Sequence, residues 1–429
     1  MQLSALLGSH ILSPSGESVG KVDDVIVRLR GGDYPVVTGL VAKVGRSRVF
    51  LPIGRIGELS DERVALAKPK VDLRAFERRE GEVLLSGDIL GHRLIDVADA
   101  ELVRAWDIEL HKTDEGWILS SLDTRRPARL MGLIRRAAGS DGQDWKDFEA
   151  LIGHTPSSLA RKPFKRVRRL KAAQIADLLE EASRNEGKEI LDAVHADPEL
   201  EADVFEELDP DIANRLFGDR TDAQVADVIA RMHADDAADA IAELPQIRRQ
   251  RVLDCLPPGK RAKVLTLLGF NPTSAGGIMG VEFMTAAAEM SAEKVLDRIR
   301  KADTMQPEAL VTVHCVDEHN HLVGTASVVR LLHADPGRLL ADVADTDPVR
   351  VGPDTDVVDV AVLMADYNLM TIPVVGSDNQ LLGVITVDDI LEATIPDDWR
   401  RREPPPHPDQ PPSDPVASGS TSGRNEPRG

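Results

Sequence analysis

The order of elements across residues 280–396 occurs twice, and that repeat limits the possible folds more than any other feature of the sequence. "SAEKVLDRIRKA" has helical spacing, "EALVTVHCVDEHNHLVGTASV" reads as a hairpin with a His-Asn turn, and "VVRLLHA" returns to helix. Later, "DVVDVAVLMADYN", "TIPVVGSDNQLLGVITV" and "DDILEAT" run through the same order. Alternating helical and strand periods predict two βαββα units in tandem.

Between Ala172 and Lys260 the pattern is helical, with 22 acidic residues against 9 basic ones. "EELDPDIANRLF", "RMHADDAADAIAEL" and "CLPPGKRAKVLTLL" form a loose repeat of roughly 22–25 residues, punctuated by Pro and Asp at helix starts. Such units bury one another's apolar faces as a solenoid or superhelix. Asp235 and Asp239 lie four apart on one helix face, with Asp236 beside them. A like-charge pair at that spacing costs a few tenths of a kcal/mol. The positive end of the helix dipole offsets part of that cost, and a cation or basic partner surface would offset more.

The first 125 residues read as β structure. "SVGKVDDVIVRL" alternates apolar and polar residues, Gly31-Gly32 supplies a turn, and "YPVVTGLVAKV" and "SRVFLPIGRIGEL" follow at short spacing. A weaker copy starts at "GDILG", with "WDIELH" standing where "VDDVIVRL" stood. These lines resemble PRC-barrel domains, small β folds used for docking, placed at 1–75 and 84–135. Residues 136–171 read as a connector ending in the basic run "RKPFKRVRRLK", which suits a solvated linker better than a lipid or RNA contact. The Pro- and Ser-rich stretch 400–429 is expected to be disordered.

Composition narrows the classes. Acidic residues outnumber basic ones 72 to 52, and the formal net charge of -20 opposes binding to DNA or RNA. Cys255 and Cys315 lack metal-type spacing and sit in apolar sequence, which predicts reduced core thiols. No window approaches the roughly 20 apolar residues of a membrane helix, so the expectation is a soluble, cytoplasmic protein. No P-loop, HExxH or GxSxG pattern occurs, and no catalytic constellation is read. His314, His319 and His321 gather on one hairpin and offer nitrogen ligands to a transition metal.

"VLMADYNLMTIPVVGSDNQLLGVITVDDIL" closely resembles the second half of a CBS-domain pair. Preceded by "NPTSAGGIMGVEFMT" and the acidic helical repeats, it resembles the cytosolic portion of MgtE magnesium channels over residues 172–396. The resemblance implies a helical N domain (172–270), a CBS pair (276–396) and a homodimer formed through that pair. It further implies Mg²⁺ bridging acidic surfaces. Asp235 and Asp239 match the acidic pair facing the CBS domain, and Asp389 matches a metal-binding aspartate. Glu392 retains a carboxylate one turn later, and Gly277 matches a position whose carbonyl reaches metal. Asn368 stands beside Ala365 where the channels present aspartate, and losing that charge should weaken one site. CBS pairs also bind adenine nucleotides such as ATP or AMP through a Thr-x-x-Asp line. "TVDD" supplies Thr386 and Asp389 for that line, whereas "SVVR" keeps Ser327 and replaces the aspartate by Arg330.

The reading is a multidomain α+β regulator that senses Mg²⁺ and is not an enzyme. It would control a separate partner such as a membrane transporter, and would reach the inner face of the membrane only through that partner. An adenine-nucleotide sensor is the alternative, and an RNA-associated factor the more remote one.

Overall fold

The computed structural model describes residues 1–29, 34–60, 63–68, 75–114, 116–125, 128–130, 133–135, 142–152, 166–302, 305 and 307–396. The Gly31-Gly32 turn, residues 161–165 of the basic run and the 400–429 tail lie outside the described residues. The chain divides into two units, residues 1–265 and 266–429.

In the first unit, helix α1 (Leu3–Leu6) leads into β1 (His10–Leu12), β2 (Ser18–Arg28), β3 (Val36–Val44), β4 (Ser47–Pro52), β5 (Ile56–Leu59) and β6 (Val64–Leu66). Then come β7 (Glu82–Leu84), a π turn at Leu85–Ile89, β8 (Arg93–Asp96), β9 (Glu101–Arg104), β10 (Asp107–Thr113) and β11 (Gly116–Asp123). A small hairpin of β12 (Ala128–Leu130) and β13 (Leu133–Arg135) precedes β14 (Gln143–Asp144) and β15 (Phe148–Ala150). The main sheet runs β10-β11-β3-β2-β1-β6-β5, with β4, β7 and β14 pairing β3, β2 and β11.

The two β copies are not beads on a string. Gly8 and Gly91 occupy matching turns at φ 80° and 78°, donating to the Val22 and Ala105 carbonyls at 2.9 and 2.7 Å. Each copy's opening segment then docks on the other copy. Asp24 of β2 accepts the Ser86 and Gly87 amides at 2.8 and 3.1 Å, and Asp107 of β10 accepts the Ser4 amide at 3.1 Å and its hydroxyl. β7 likewise pairs with β2, while Gln2 bridges Glu109 of β10. Leu3, Leu6, Val25, Leu85, Ile89 and Ile108 accordingly share one core. The second copy's closing strands, β14 and β15, lie beyond the 135 boundary expected from sequence.

Eight helices follow: α2 (Ala172–Glu181), α3 (Arg184–Val194), α4 (Pro198–Glu206), α5 (Pro210–Gly218), α6 (Asp222–Ile229), α7 (Ala234–Glu243), α8 (Gln246–Cys255) and α9 (Pro258–Leu267). Their spacing is regular. α4, α6 and α8 begin 24 residues apart, and so do α5, α7 and α9. Pro198 and Pro210 sit in first turns, where a missing N–H costs nothing, and Ser183–Glu186 and Thr221–Gln224 form capping boxes. Helices two apart in sequence pack together, α2 on α4, α4 on α6, α6 on α8, and α5 on α7. That alternate stacking makes a superhelix. One expectation is corrected here: Cys255 is exposed. Val252 and Leu253 take the buried face of α8, and Cys255 falls on the outer one.

The second unit contains β16 (Thr285–Ala287), α10 (Ala292–Ile299), α11 (Pro307–Leu310), β17 (Thr312–Val316), β18 (Leu322–Ser327), α12 (Val328–His333) and α13 (Leu340–Val343). α14 (Val357–Tyr367), β19 (Thr371–Val375), β20 (Leu381–Thr386) and α15 (Val387–Thr394) repeat the pattern. The hairpins share a register: Thr312 faces Ser327 as Thr371 faces Thr386, and both carry a bulge before their last pair. Asn320 and Asn379 hold the turns in the left-handed region, at φ 64° and 65°, which Asn tolerates. The turns clasp each other. The Leu322 amide donates to the Asn379 carbonyl and the Leu381 amide to the Asn320 carbonyl, each at 3.0 Å. Asn320 Nδ2 reaches the Leu381 carbonyl at 3.0 Å and Asn379 Nδ2 the Leu322 carbonyl at 2.8 Å. The segment leading into the first repeat completes the second, because Gly280 and Val384 exchange backbone hydrogen bonds at 2.9 and 3.0 Å.

The exchange between β copies is testable. Asp107 is 4% exposed. Asp107→Ala strands the Ser4 donors at a cost of about 1–3 kcal/mol, expected as a lower urea midpoint with unchanged slope.

Candidate metal centre

Helix α7 buries Ala234, Ala237, Ala238 and Ile241, which turns its acidic residues to the other side. Asp235 and Asp236 occupy the first turn, and Asp239 is exposed one turn later. His233 caps the helix without a side-chain cap hydrogen bond. It meets Glu206, the last residue of α4, whose Oε1 accepts the His233 amide at 2.6 Å. His233 Nδ1 lies 3.1 Å from that same oxygen and 3.8 Å from Asp236 Oδ2, an ion pair rather than an aligned hydrogen bond. The Glu206 carboxylate, with Asp236 and Asp235 adding to it, pushes the His233 imidazole up to about 9. Burial pushes the Asp235 carboxyl above its ordinary value, against the opposing pull of His233. The acidic face therefore already carries one cation of its own. A histidine immediately before "ADD" was the available signal for it, but Glu206 stands 27 residues away and shares no local pattern.

In the second unit Thr386 and Asp389 form a reciprocal capping box at the start of α15. The Thr386 amide donates to Asp389 Oδ2 at 2.7 Å, and the Asp389 amide to Thr386 Oγ1 at 3.5 Å. Thr386 is buried, Asp389 half-buried, and Glu392 exposed one turn further on. Ser327 caps α12 at the matching place, accepting the amide of exposed Arg330 at 3.3 Å. "TVDD" and "SVVR" thus cap their helices at the same place, the first reciprocally and the second through Ser327 alone.

Gly277 has a steric reason to be glycine. A Cβ there would meet the Asn271 carbonyl oxygen at 2.2 Å and Pro272 Cα at 2.7 Å. Asn368 ends α14 at φ 52°, ψ 48°, a left-handed cap that favours Asn. Its identity therefore follows from backbone geometry as much as from charge.

Asp235 and Asp239 belong to the first unit; Gly277, Thr386, Asp389 and Glu392 belong to the second. The expected histidine trio divides. His314 is buried, with Nδ1 3.3 Å from the Met284 carbonyl, and burial lowers its imidazole to about 4. Asp317 replaces it beside His319 and His321, the three offering ligand atoms within 4.8 Å of one another. Hydrogen bonds from the amide and ring of His321 hold the Asp317 carboxyl below its usual range.

The His233 charge sets a pH dependence. Its folded value, about 9, lies above the ordinary 6.5, so its stabilisation is complete below pH 6.5 and fades as pH rises through about 9. Replacing it by His233→Gln should lower unfolding free energy by roughly 1–2 kcal/mol after solvent screening. Denaturant titrations across this range should show the gap between wild type and variant closing as pH rises. A widening gap would refute the assignment.

Comparison with known proteins agrees with this layout. The family model of the MgtE intracellular N domain matches residues 170–273, and that of the CBS domain matches residues 340–395. The magnesium transporter MgtE of Thermus thermophilus is 37% identical over 164 residues, covering 37% of this chain and 36% of that protein. The Enterococcus faecalis magnesium transporter MgtE is 33% identical over 130 residues, covering 30% and 28%. These matches span about a third of the relatives' length. A crystal structure of the cytosolic domain of the Mg²⁺ channel MgtE in complex with ATP aligns at TM-score 0.50 and 28% identity, covering 53% of this chain and 91% of that one. Among the described residues no helix is long and apolar enough to cross a membrane. Over residues 170–273 and 340–395, this chain is thus similar to the intracellular N domain of MgtE magnesium transporters and to CBS domains.

Proposed function

We propose that the chain is a Mg²⁺-responsive cytoplasmic regulator whose helical and CBS parts change arrangement when the ion binds. One observation carries this reading. In the 24-residue helical repeat, the positions equivalent to Asp235 and Asp239 are Asp211 and Arg215 in α5, and Gly259 and Lys263 in α9. α5 pairs opposite charges at that spacing and α9 carries a single lysine, whereas α7, the middle member of this series, places two carboxylates there. His233 offsets one charge of the group, and a hard divalent ion suits the oxygen donors that remain.

In this reading Asp235 and Asp239 are joined through Mg²⁺ to Asp389, with Glu392 and the Gly277 carbonyl as further donors. The like charges on α7 already repel by a few tenths of a kcal/mol, and each further carboxylate brought to them without a cation adds to that cost. Metal that binds only the joined state stabilises it by about 2.7 kcal/mol at a hundredfold excess over its dissociation constant. Raising Mg²⁺ at constant ionic strength should reduce the scattering radius and slow proteolysis near Asn271–Gly280. The double variant Asp235→Asn, Asp239→Asn should lose both responses. A wild-type chain indifferent to Mg²⁺ leaves the acidic face as helix-end electrostatics alone.

A homodimer is supported by apolar residues exposed on the CBS helices. Val358 and Val362 lie one turn apart on α14, and Leu391 and Ile395 one turn apart at α15, which packs against α14. A second copy would cover this stripe. The regulated partner in this reading is a separate membrane transporter, reached at the inner face of the membrane. No catalytic role is proposed.

Nucleotide binding is a second reading, favoured by the Thr386–Asp389 box standing where Ser327 and Arg330 stand in the other repeat. If ATP or AMP binds, the ribose should depend on Asp389. Calorimetry should then show at least tenfold weaker binding for Asp389→Ala and little change for Arg330→Ala. Equal loss in both variants would count against it.

A further inference from the structure

The two clasped hairpins share a fold and differ in side chains. Both turns place an asparagine in the left-handed region, at Asn320 and Asn379. Around it the second hairpin carries Gly376, Asp378 and Gln380, while the first carries Asp317, His319 and His321 at the corresponding places. The second hairpin closes as well as the first without a histidine, so turn formation does not explain the two imidazoles. We propose that the first-repeat hairpin is a binding site for a borderline divalent transition ion such as Zn²⁺, ligated by Asp317, His319 and His321.

The donor set fits that chemistry. Two imidazole nitrogens and one carboxylate suit Zn²⁺, Co²⁺ or Ni²⁺, whereas Mg²⁺ prefers oxygen alone. Asp317 is fixed before any ion arrives. Its Oδ1 accepts the His319 amide at 2.9 Å and the His321 amide at 2.8 Å, and its Oδ2 meets His321 Nδ1 at 2.9 Å. The His319 and His321 rings stack at 5.8 Å between centroids, 23° from parallel. All three groups offer ligand atoms within 4.8 Å of one another. Neighbouring ligands of a tetrahedral zinc lie about 3.3 Å apart, given bonds near 2.0–2.1 Å. The contraction needed is a rotation of exposed side chains. The backbone below does not need to move, since Asn320 is tied to Leu381 by its carbonyl and its side chain. His321 also bridges Gln380 of the second repeat, so an ion held here sits on the seam between repeats. On binding through His321 Nδ1, the ion takes the place of the proton shared with Asp317 Oδ2, and the neutral ring carries its one proton on Nε2 instead.

The test uses the full chain, stripped of metal with a chelator and titrated with Zn²⁺ against a chromophoric competitor in millimolar Mg²⁺. One equivalent should bind, undisplaced by Mg²⁺. His319→Ala and His321→Ala should each weaken binding at least tenfold, and Asp317→Asn about 10–100-fold. Asp378→Ala with Gln380→Ala, in the other hairpin, should leave it unchanged. Co²⁺ gives a readout independent of variants: the wild-type chain should develop visible d–d bands of mixed nitrogen and oxygen coordination. The proposal is overturned if His319→Ala with His321→Ala binds Zn²⁺ as tightly as wild type, or if Co²⁺ added to wild type shows only its aqueous spectrum. Neither result bears on the response to Mg²⁺, which is carried by other residues.

Discussion

Leu322 and Leu381 each give their backbone amide to the turn asparagine of the other repeat, and the second unit depends on that exchange. A hairpin end alone would hold amides and carbonyls that its own strands leave unpaired. Each such group, once shielded from water, costs about 1–3 kcal/mol if unsatisfied. The clasp pairs them reciprocally, and the pairing of Gly280 with Val384 extends it by letting the entry segment finish the repeat that comes later in sequence. The β domain solves its problem the same way, with Asp24 holding the second copy's opening and Asp107 holding the first. Each half is incomplete alone, so the halves fold as one body, and the side chains around the joints stand on a fixed frame.

Given a shared frame, positions where copies differ carry the information. Arg215 and Lys263 balance or avoid charge in α5 and α9, while Asp239 repeats the charge of Asp235 in α7. Asp389 and Arg330 occupy the same N3 position behind a Thr or Ser cap, one offering carboxylate oxygens and the other a guanidinium. His319 and His321 stand where Asp378 and Gln380 stand in the other repeat. Drift alone would change such positions without clustering their chemistry. Here the departures come as sets of groups with donor chemistry. Where geometry does dictate identity, as at Gly277 or the left-handed Asn368, the residue is weaker evidence of function.

What the sequence made legible was periodic. Helical spacing, hairpin turns and the doubled βαββα order all report on neighbours within a few residues, and the superhelix and CBS repeats emerged from them. The helical repeat was visible too, although its regular 24-residue step was blurred by the Pro and Asp punctuation. Contacts that join distant residues left no such trace. The exchange of Asp24 and Asp107 spans 62 and 103 residues, and Glu206 reaches His233 across 27. Cys255 misled for a related reason, since apolar neighbours in sequence do not fix which face of α8 a residue takes. The capping role of Asp389 was also hidden, because Thr-x-x-Asp is at once a helix start and a ligand motif.

That double use bears on how two ions would be told apart. On α7 the donors are carboxylates, and His233 is held protonated by Glu206, so its nitrogen is a charge rather than a ligand at neutral pH. A transition ion gains no imidazole there unless it displaces a proton held to about 9, and Mg²⁺, needing only oxygen, has no such obstacle. On the first-repeat hairpin the order reverses. His319 and His321 offer nitrogen, and Asp317 is committed to orienting them as much as to binding. A hard ion that gives up its water reluctantly gains little from that set, while a borderline one gains two strong bonds. The same pair of residue types, His and Asp, thus discriminates in opposite directions, because in one place Glu206 keeps the proton on the ring against the opposing effect of burial and in the other the ring is open to solvent.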